Sequence, residues 1–182
     1  MAAIRRLHKA KDAAYRNAWK KRGEVIGVLA NVARKVDRLE YVTEGAPPTQ
    51  DEPLLDTAID LFVYSIKYQS FLADQDNSVA AILFHRRSVL SPYSDGRAGF
   101  EYLLSRVKLD ELQKTALPSA MAVGQVITAF NDLEACFSAT VADQSALVRL
   151  GRVQALTEAT VRLLGSLAHE APELYHDFLA TP

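Results

Sequence analysis

Asp56 and Asp60 stand four residues apart in the segment Asp56-Thr57-Ala58-Ile59-Asp60. That spacing stacks two side chains on one face of a helix. Like charges so placed repel by about 0.2–0.5 kcal/mol on an exposed helix. Beside the apolar residues Ile59, Phe62 and Val63 the cost rises, unless a cation sits between the carboxylates. A hard cation such as Mg²⁺ takes oxygen ligands and keeps several waters, so two or three carboxylates with substrate phosphates complete its shell. Asp56 also reads simply as an acidic residue in a first helical turn, where the dipole favours anions. Asp60, one turn further in, is less easily explained that way. Both carboxylates are expected to face one polar pocket near Lys35 or Arg38.

Two earlier segments bear on that pocket. Residues 31–40 alternate charge sign, and Lys35 and Arg38, three apart, share a helix face from which they can meet phosphates. A solvated, salt-bridged helix has the same pattern. Tyr15 and Trp19, four apart in a basic stretch, can stack a base beside cations; Trp19 can equally staple its helix to the core. The four histidines are dispersed, and His169 and His176 with Glu170 and Glu173 make only a faint metal pattern. No glycine-rich phosphate loop with its lysine is present. Cys136, the single cysteine, has no partner for an internal disulfide and reads as a buried thiol.

The elements that must position these residues are helical. Apolar residues recur at three- and four-residue spacing over 24–41, through Ile26, Leu29, Val32, Val36 and Leu39. The same holds over 52–73 and 78–90, and a polar helix over 9–22 precedes them, ended by Gly23. Residues 43–53 (TEGAPPTQDEP) form a loop. Short helices follow over 100–107 and 109–117. A longer one opens at Pro118 with Val123, Val126, Phe130 and Leu133 on its stripe. Another spans 144–168, capped by Asp143 and buried along Leu147, Leu150, Val153, Val161, Leu164 and Leu167. Residues 172–179 add a last turn or two. No period-two alternation competes. The fold class is all-α: a helical bundle over 1–94 and a C-terminal helical hairpin over 95–182, packed into the same domain or used as an oligomer interface.

Composition sets outer limits. The 182 residues are 49% hydrophobic and 24% charged, an ordinary globular balance. The net charge of −1 hides an asymmetry: residues 1–38 carry eleven Lys/Arg against three Asp/Glu. A basic N-terminal segment over an acidic body can hold phosphates or the body itself. No run of eighteen apolar residues exists for a membrane span, and the basic start lacks the apolar core of a secretory signal. The cytoplasm is the expected location.

Taken in order, Tyr15…Ala18-Trp19, Lys35…Arg38 and Asp56…Asp60-Leu61…Tyr64 resemble MazG-like all-α nucleotide pyrophosphohydrolases, particularly a phage and bacterial branch linked to nucleotide modification. The resemblance covers residues 8–73. It implies a compact, often dimeric or tetrameric bundle that hydrolyses nucleoside triphosphates to monophosphate and pyrophosphate with Mg²⁺. It also implies Asp56 and Asp60 as catalytic metal ligands, Lys35 and Arg38 on the phosphates, and Tyr15, Trp19 and Tyr64 around the nucleotide. The family's Glu-x-x-Glu pair has no match among Asn31, Arg34, Lys35 and Asp37, and Thr57 stands where a glutamate usually precedes Asp60 by three. The competing reading is a non-catalytic helical interaction module of a phage or defence-type assembly. Either is expected to be a homo-oligomer. Nucleic-acid binding is disfavoured by the slightly negative net charge and few aromatics.

Overall fold

A computed structural model describes residues 2–15, 17–43, 54–85, 88–107, 117–138 and 145–180, and all regular structure among them is helical. The helices are α1 (Ala2–Tyr15), α2 (Ala30–Thr43), α3 (Leu54–Gln75), α4 (Asn77–Phe84), α5 (Ala98–Arg106), α6 (Ser119–Glu134), α7 (Ala146–Glu170) and α8 (Pro172–Ala180). None is long and apolar enough to cross a membrane.

The composition of α3 puts it at the centre. Sixteen of its twenty-two residues are buried, among them Phe62, Ile66 and Tyr68. A helix so apolar around its circumference needs neighbours on most sides. α1, α2, α4, α5 and α7 supply them. α2 turns Val32, Val36 and Leu39 into the core, with Asp37 and Glu40 exposed and Lys35 and Arg38 half-buried. The α6–α7 hairpin lays α7 along α3 and α6 along α2. Its stripes, Val123, Val126, Phe130 and Leu133 on α6 and Leu150 to Leu167 on α7, enter the same core cluster as Ile4, Val32 and Phe62. The core is therefore continuous across residues 94–95, and these stripes are filled within the chain, while Met121, Leu147 and Val148 stay exposed.

Local chemistry sets the breaks. Asp76 caps α4 by accepting from Ser78 N at 2.6 Å and Val79 N at 3.4 Å. α4 stops at His85, whose left-handed φ of 51° closes the helix, well before the expected end at residue 90. Asp74 on α3 holds the next turn: it accepts from Tyr93 N at 2.7 Å, from Ser94 N at 3.0 Å and from the Ser94 hydroxyl. α7 is capped by Ser145, which accepts from Val148 N at 3.4 Å. The expected cap Asp143 lies outside the described residues, as do most of the expected helix at 109–117 and residues 44–53 of the expected loop.

Three expectations are corrected. The first helix runs over Ala2–Tyr15 instead of 9–22, because Ala3, Ile4 and His8 give it a buried edge nearer the terminus, while Ala13 and Ala18 face outward. Trp19 sits on the separate 3-10 turn Ala18–Lys20. Residues Glu24–Leu29 form a π-helical turn, with Ala30 N donating to Val25 O. Its wider turn shifts the register, so Ile26 ends 68% exposed. Leu147 likewise points outward while the rest of its expected stripe is buried.

Two packing details generate tests. A Cβ on Gly99 would overlap the Tyr93 carbonyl, which is backbone and cannot swing aside. Gly99→Ala should therefore lower stability by about 1–3 kcal/mol in denaturant titration; an unchanged midpoint would show that the 93–99 turn is not pressed against α5. His8 is buried, stacked on Phe100 at 3.7 Å and 11°, and neither ring nitrogen has a hydrogen-bond partner among the described residues. Burial first, then the Lys67 and Arg97 charges, pull its pKa down to about 3. The folded chain thus keeps His8 neutral, while the unfolded chain takes up a proton below the ordinary value of 6.5. Stability from this group is complete above pH 6.5 and drains away as the pH falls toward 3. Between pH 6.5 and 5 the loss should reach ~2 kcal/mol. Melts of the parent and of His8→Phe across that window check it: the variant should lose less.

Candidate active-site cavity

Spacing on α3 selects one face: Asp60, Val63, Tyr64 and Lys67 fall three or four residues apart and line one cavity of about 480 Å³. α2 answers with Asn31, Arg34, Lys35 and Arg38 at the same spacing. α1 contributes Lys11, and the 3-10 turn contributes Trp19. Each helix turns its apolar side to the core and brings its polar residues to the seam between them.

The α2 wall is fixed by its approach to the 18–20 turn. Asn31 Nδ2 donates to Gly27 O at 2.7 Å and to Trp19 O at 3.3 Å, tying α2 to that turn. A Cβ on Gly27 would stand 3.1 Å from Trp19 O, so the absence of a side chain permits the close approach. Arg34 Nη2 donates to Asn31 Oδ1, which aims the guanidinium along the same wall.

Asp60 is the cavity's one acid among the described residues, and its side chain is only 12% exposed. Lys11 Nζ donates to its Oδ1, and Lys35 Nζ stands 3.0 Å from its Oδ2. Both carboxylate oxygens are engaged by ammonium groups. Lys67 is different. It is 8% exposed, forms no ion pair among the described residues, and holds its ammonium 5.1 Å over the Trp19 ring. Burial pulls its pKa down to about 8; Asp12, the strongest of the charges, opposes the shift, and the Lys11 and Lys20 charges add to it.

The residues singled out in the sequence are distributed as follows. Trp19, Lys35, Arg38, Asp60 and Tyr64 line the cavity. Asp56 is exposed in the first turn of α3, where the helix dipole favours its charge, and it does not line the cavity. The expected shared pocket for Asp56 and Asp60 is thus not formed, because Asp60 turns toward α1 and α2. The Tyr15 side chain lies outside the described residues. Trp19 is buried, edge-on to Phe71 at 6.4 Å, with Lys20 and Lys67 over its ring, so it serves the core and positions cations instead of offering a free face to a base.

The Mg²⁺ implied by the family resemblance does not suit this donor set. Asp60 would have to give up two lysines, and no group of three His, Cys, Asp or Glu among the described residues can hold a metal. Lys11, Asn31, Arg34 and Lys67 were not among the expected site residues. Lys67, two turns beyond Asp60 and the single charged residue between Asp60 and Asp74, was the available signal. Arg34, one turn before Arg38, was the other.

Comparison with protein-family models, with curated proteins and with solved structures finds no match to this chain.

Asp60→Asn keeps the side chain's shape and removes the charge between Lys11 and Lys35. It should lower stability by about 1–3 kcal/mol, the cost of leaving charged donors without their acceptor. A like-charge carboxylate cluster would give the opposite sign, so a variant that melts higher than the parent would overturn the clamp. Trace acetylation across pH 6–11 with peptide mapping should place the Lys67 inflection near 8, well below those of surface lysines; an inflection above 10 would contradict its burial among cations.

Proposed function

We propose that this cavity binds a phosphate-bearing ligand of nucleotide or polyphosphate type. The observation that carries the reading is the charge imbalance: Lys11, Arg34, Lys35, Arg38 and Lys67 converge on one cavity whose single acid among the described residues is already held by two of them. Arginine forks match phosphate oxygens in pairs and lysines add point charge, so the wall suits an anion carrying several negative charges. The cavity's size accommodates a mononucleotide. Tyr64 offers an aromatic edge beside the cations. Similarity to nucleotide pyrophosphohydrolases makes a nucleoside triphosphate the first ligand to test. Hydrolysis through a carboxylate-bound Mg²⁺ has no support from the donor set, and the chemistry that the cavity supports is binding and charge neutralisation.

Calorimetric titration with pyrophosphate, ATP and dATP tests this, beside a pyrophosphate-release assay with and without Mg²⁺. Binding should weaken as salt rises, and Arg38→Gln should weaken it about tenfold, the loss of one charge-assisted contact. Asp60→Asn, though less stable, should bind pyrophosphate more tightly, because a repelling charge is gone. No heat from any of the three ligands at low salt would end the proposal. Mg²⁺-dependent pyrophosphate release abolished in Asp60→Asn would restore the metal-dependent hydrolase instead.

Self-association, expected from the family resemblance, has its best support on another face. The Glu24–Arg149 ion pair, 2.7 Å, sets the π turn beside the start of α7, and Val25, Ile26, Leu147 and Val148 flank it with exposed apolar side chains. Light scattering should show a dimer that Ile26→Glu dissociates; a monomer at all micromolar concentrations would remove this interface.

A further inference from the structure

Lys67 is more buried than a phosphate-binding lysine needs to be. Lysines that only neutralise anions keep a flexible, hydrated ammonium at the rim of a site. Lys67 instead rises from the middle of α3, 8% exposed, with its stem between core residues and its amine over the indole of Trp19. Its position differs from those of the other two cavity lysines. Lys11 and Lys35 are committed to the Asp60 carboxylate, whereas Lys67 forms no ion pair among the described residues: Asp12 is the strongest charge acting on it, and Lys11 and Lys20 act against its ammonium. A desolvated lysine beside other cations, facing a ligand cavity, is the arrangement that frees an amine for covalent chemistry.

We propose that Lys67 is a nucleophile that captures a phosphate-bearing aldehyde or ketone as an imine, with the phosphate held by the arginines of α2. This rests on reading the cavity as a phosphate site. The neutral Nζ donates its lone pair to the carbonyl carbon, forming the C–N bond as the C=O π pair moves onto oxygen. A proton passes from nitrogen through water to that oxygen, giving a neutral carbinolamine. The nitrogen lone pair then expels the oxygen, protonated by water, as H₂O, and the resulting iminium of Lys67 returns its N–H proton to the hydroxide left behind, giving the neutral imine. Amine and carbonyl become imine and water, and no oxidant or reductant is required. At pH 7.5 a group titrating at about 8 is roughly one quarter neutral, against about one part in a thousand for an ordinary lysine. The reactive form is therefore present without a separate base. Phosphate charge beside Arg34 and Arg38 sets which carbonyl compounds dwell long enough to react.

Pyridoxal 5′-phosphate is a suitable probe, with pyridoxal as the partner lacking phosphate. The parent protein is incubated with each at pH 7.5, reduced with borohydride and mapped by peptide mass spectrometry. Melting of the parent with pyrophosphate is recorded in parallel. The expected result is one equivalent of label on Lys67, at least tenfold more with the phosphate ester, suppressed by excess pyrophosphate. Lys67→Arg and Lys67→Met, each checked for the parent's helical circular dichroism, should both lose the label at that site. If pyrophosphate raises the melting temperature but label falls only on surface lysines such as Lys9 and Lys21, the imine proposal is overturned and the phosphate site stands. If Lys67 reacts equally with both aldehydes, the amine is reactive but selection by phosphate is overturned. If pyrophosphate has no effect and Lys67 stays unlabelled, both readings are overturned.

Discussion

A helix buried along most of its surface needs partners for the polar groups it carries, and α3 carries several, of which Thr57 Oγ1 is buried without a hydrogen-bond partner among the described residues. Apolar burial drives the association of such a helix with its neighbours, but each amide, hydroxyl or charge taken inside costs about 1–3 kcal/mol if left alone. The placement of α1, α2 and α7 around α3 follows from this constraint. Tyr68, fully buried, donates its hydroxyl to Glu24 Oε1 at 2.7 Å, and Arg149 reaches the same oxygen from α7. Burial and the Glu24 carboxylate both push the Tyr68 phenol above its ordinary value, so it stays a neutral donor. One carboxylate on the π turn thus joins α3 to α7. Asp60 does the corresponding work on the other side, joining α3 to α1 through Lys11 and to α2 through Lys35.

The legibility of the sequence follows the same division. Helical periodicity is set by side chains that repeat along one element, so α2, α3, α6 and α7 could be located from Val32, Val36 and Leu39, or from Leu150, Val153 and Leu164, without any knowledge of their partners. The misread ends are those where local geometry overrides the repeat. The π turn carries Ile26 out of the stripe it shares with Leu29, and His85 closes α4 although Val89 and Leu90 follow in the sequence. Trp19 falls off the first helix because Asn31 holds the turn's backbone, a contact made twelve residues away.

Asp56 and Asp60 show why a site is harder to read than a helix. Spacing places them on one face of α3, and it does so correctly as backbone geometry. It does not say which neighbour each carboxylate meets. Asp56 sits exposed at the helix start, where the dipole favours its charge, while Asp60 sits a turn deeper against two lysines from other helices. The charges that decide whether a carboxylate can bind a cation belong to residues 25 and 49 positions away in the chain. Lys35 could be weighed in advance because it stood beside Arg38. Lys11 could not.

The two sides of α3 near its middle make the strongest argument about Lys67. Toward α7, the polar groups close on each other: Gln69 Nε2 donates to Thr157 Oγ1 at 2.9 Å, and Thr157 Oγ1 lies 3.0 Å from Ser65 Oγ and 2.8 Å from Val153 O. Such a set is satisfied within the protein and fixes the register of two helices. On the other side, Lys67 has the Trp19 ring and an open cavity before it, with Asp12 favouring its charge and Lys11 and Lys20 opposing it. A structural lysine in that position would be expected to draw a carboxylate from α2, yet the α2 residues that line the cavity are Asn31, Arg34, Lys35 and Arg38. Burial, with the Lys11 and Lys20 charges, disfavours the Lys67 ammonium, and Asp12 works the other way. An arrangement that raises the energy of the free protein is explained when an anion from outside completes it.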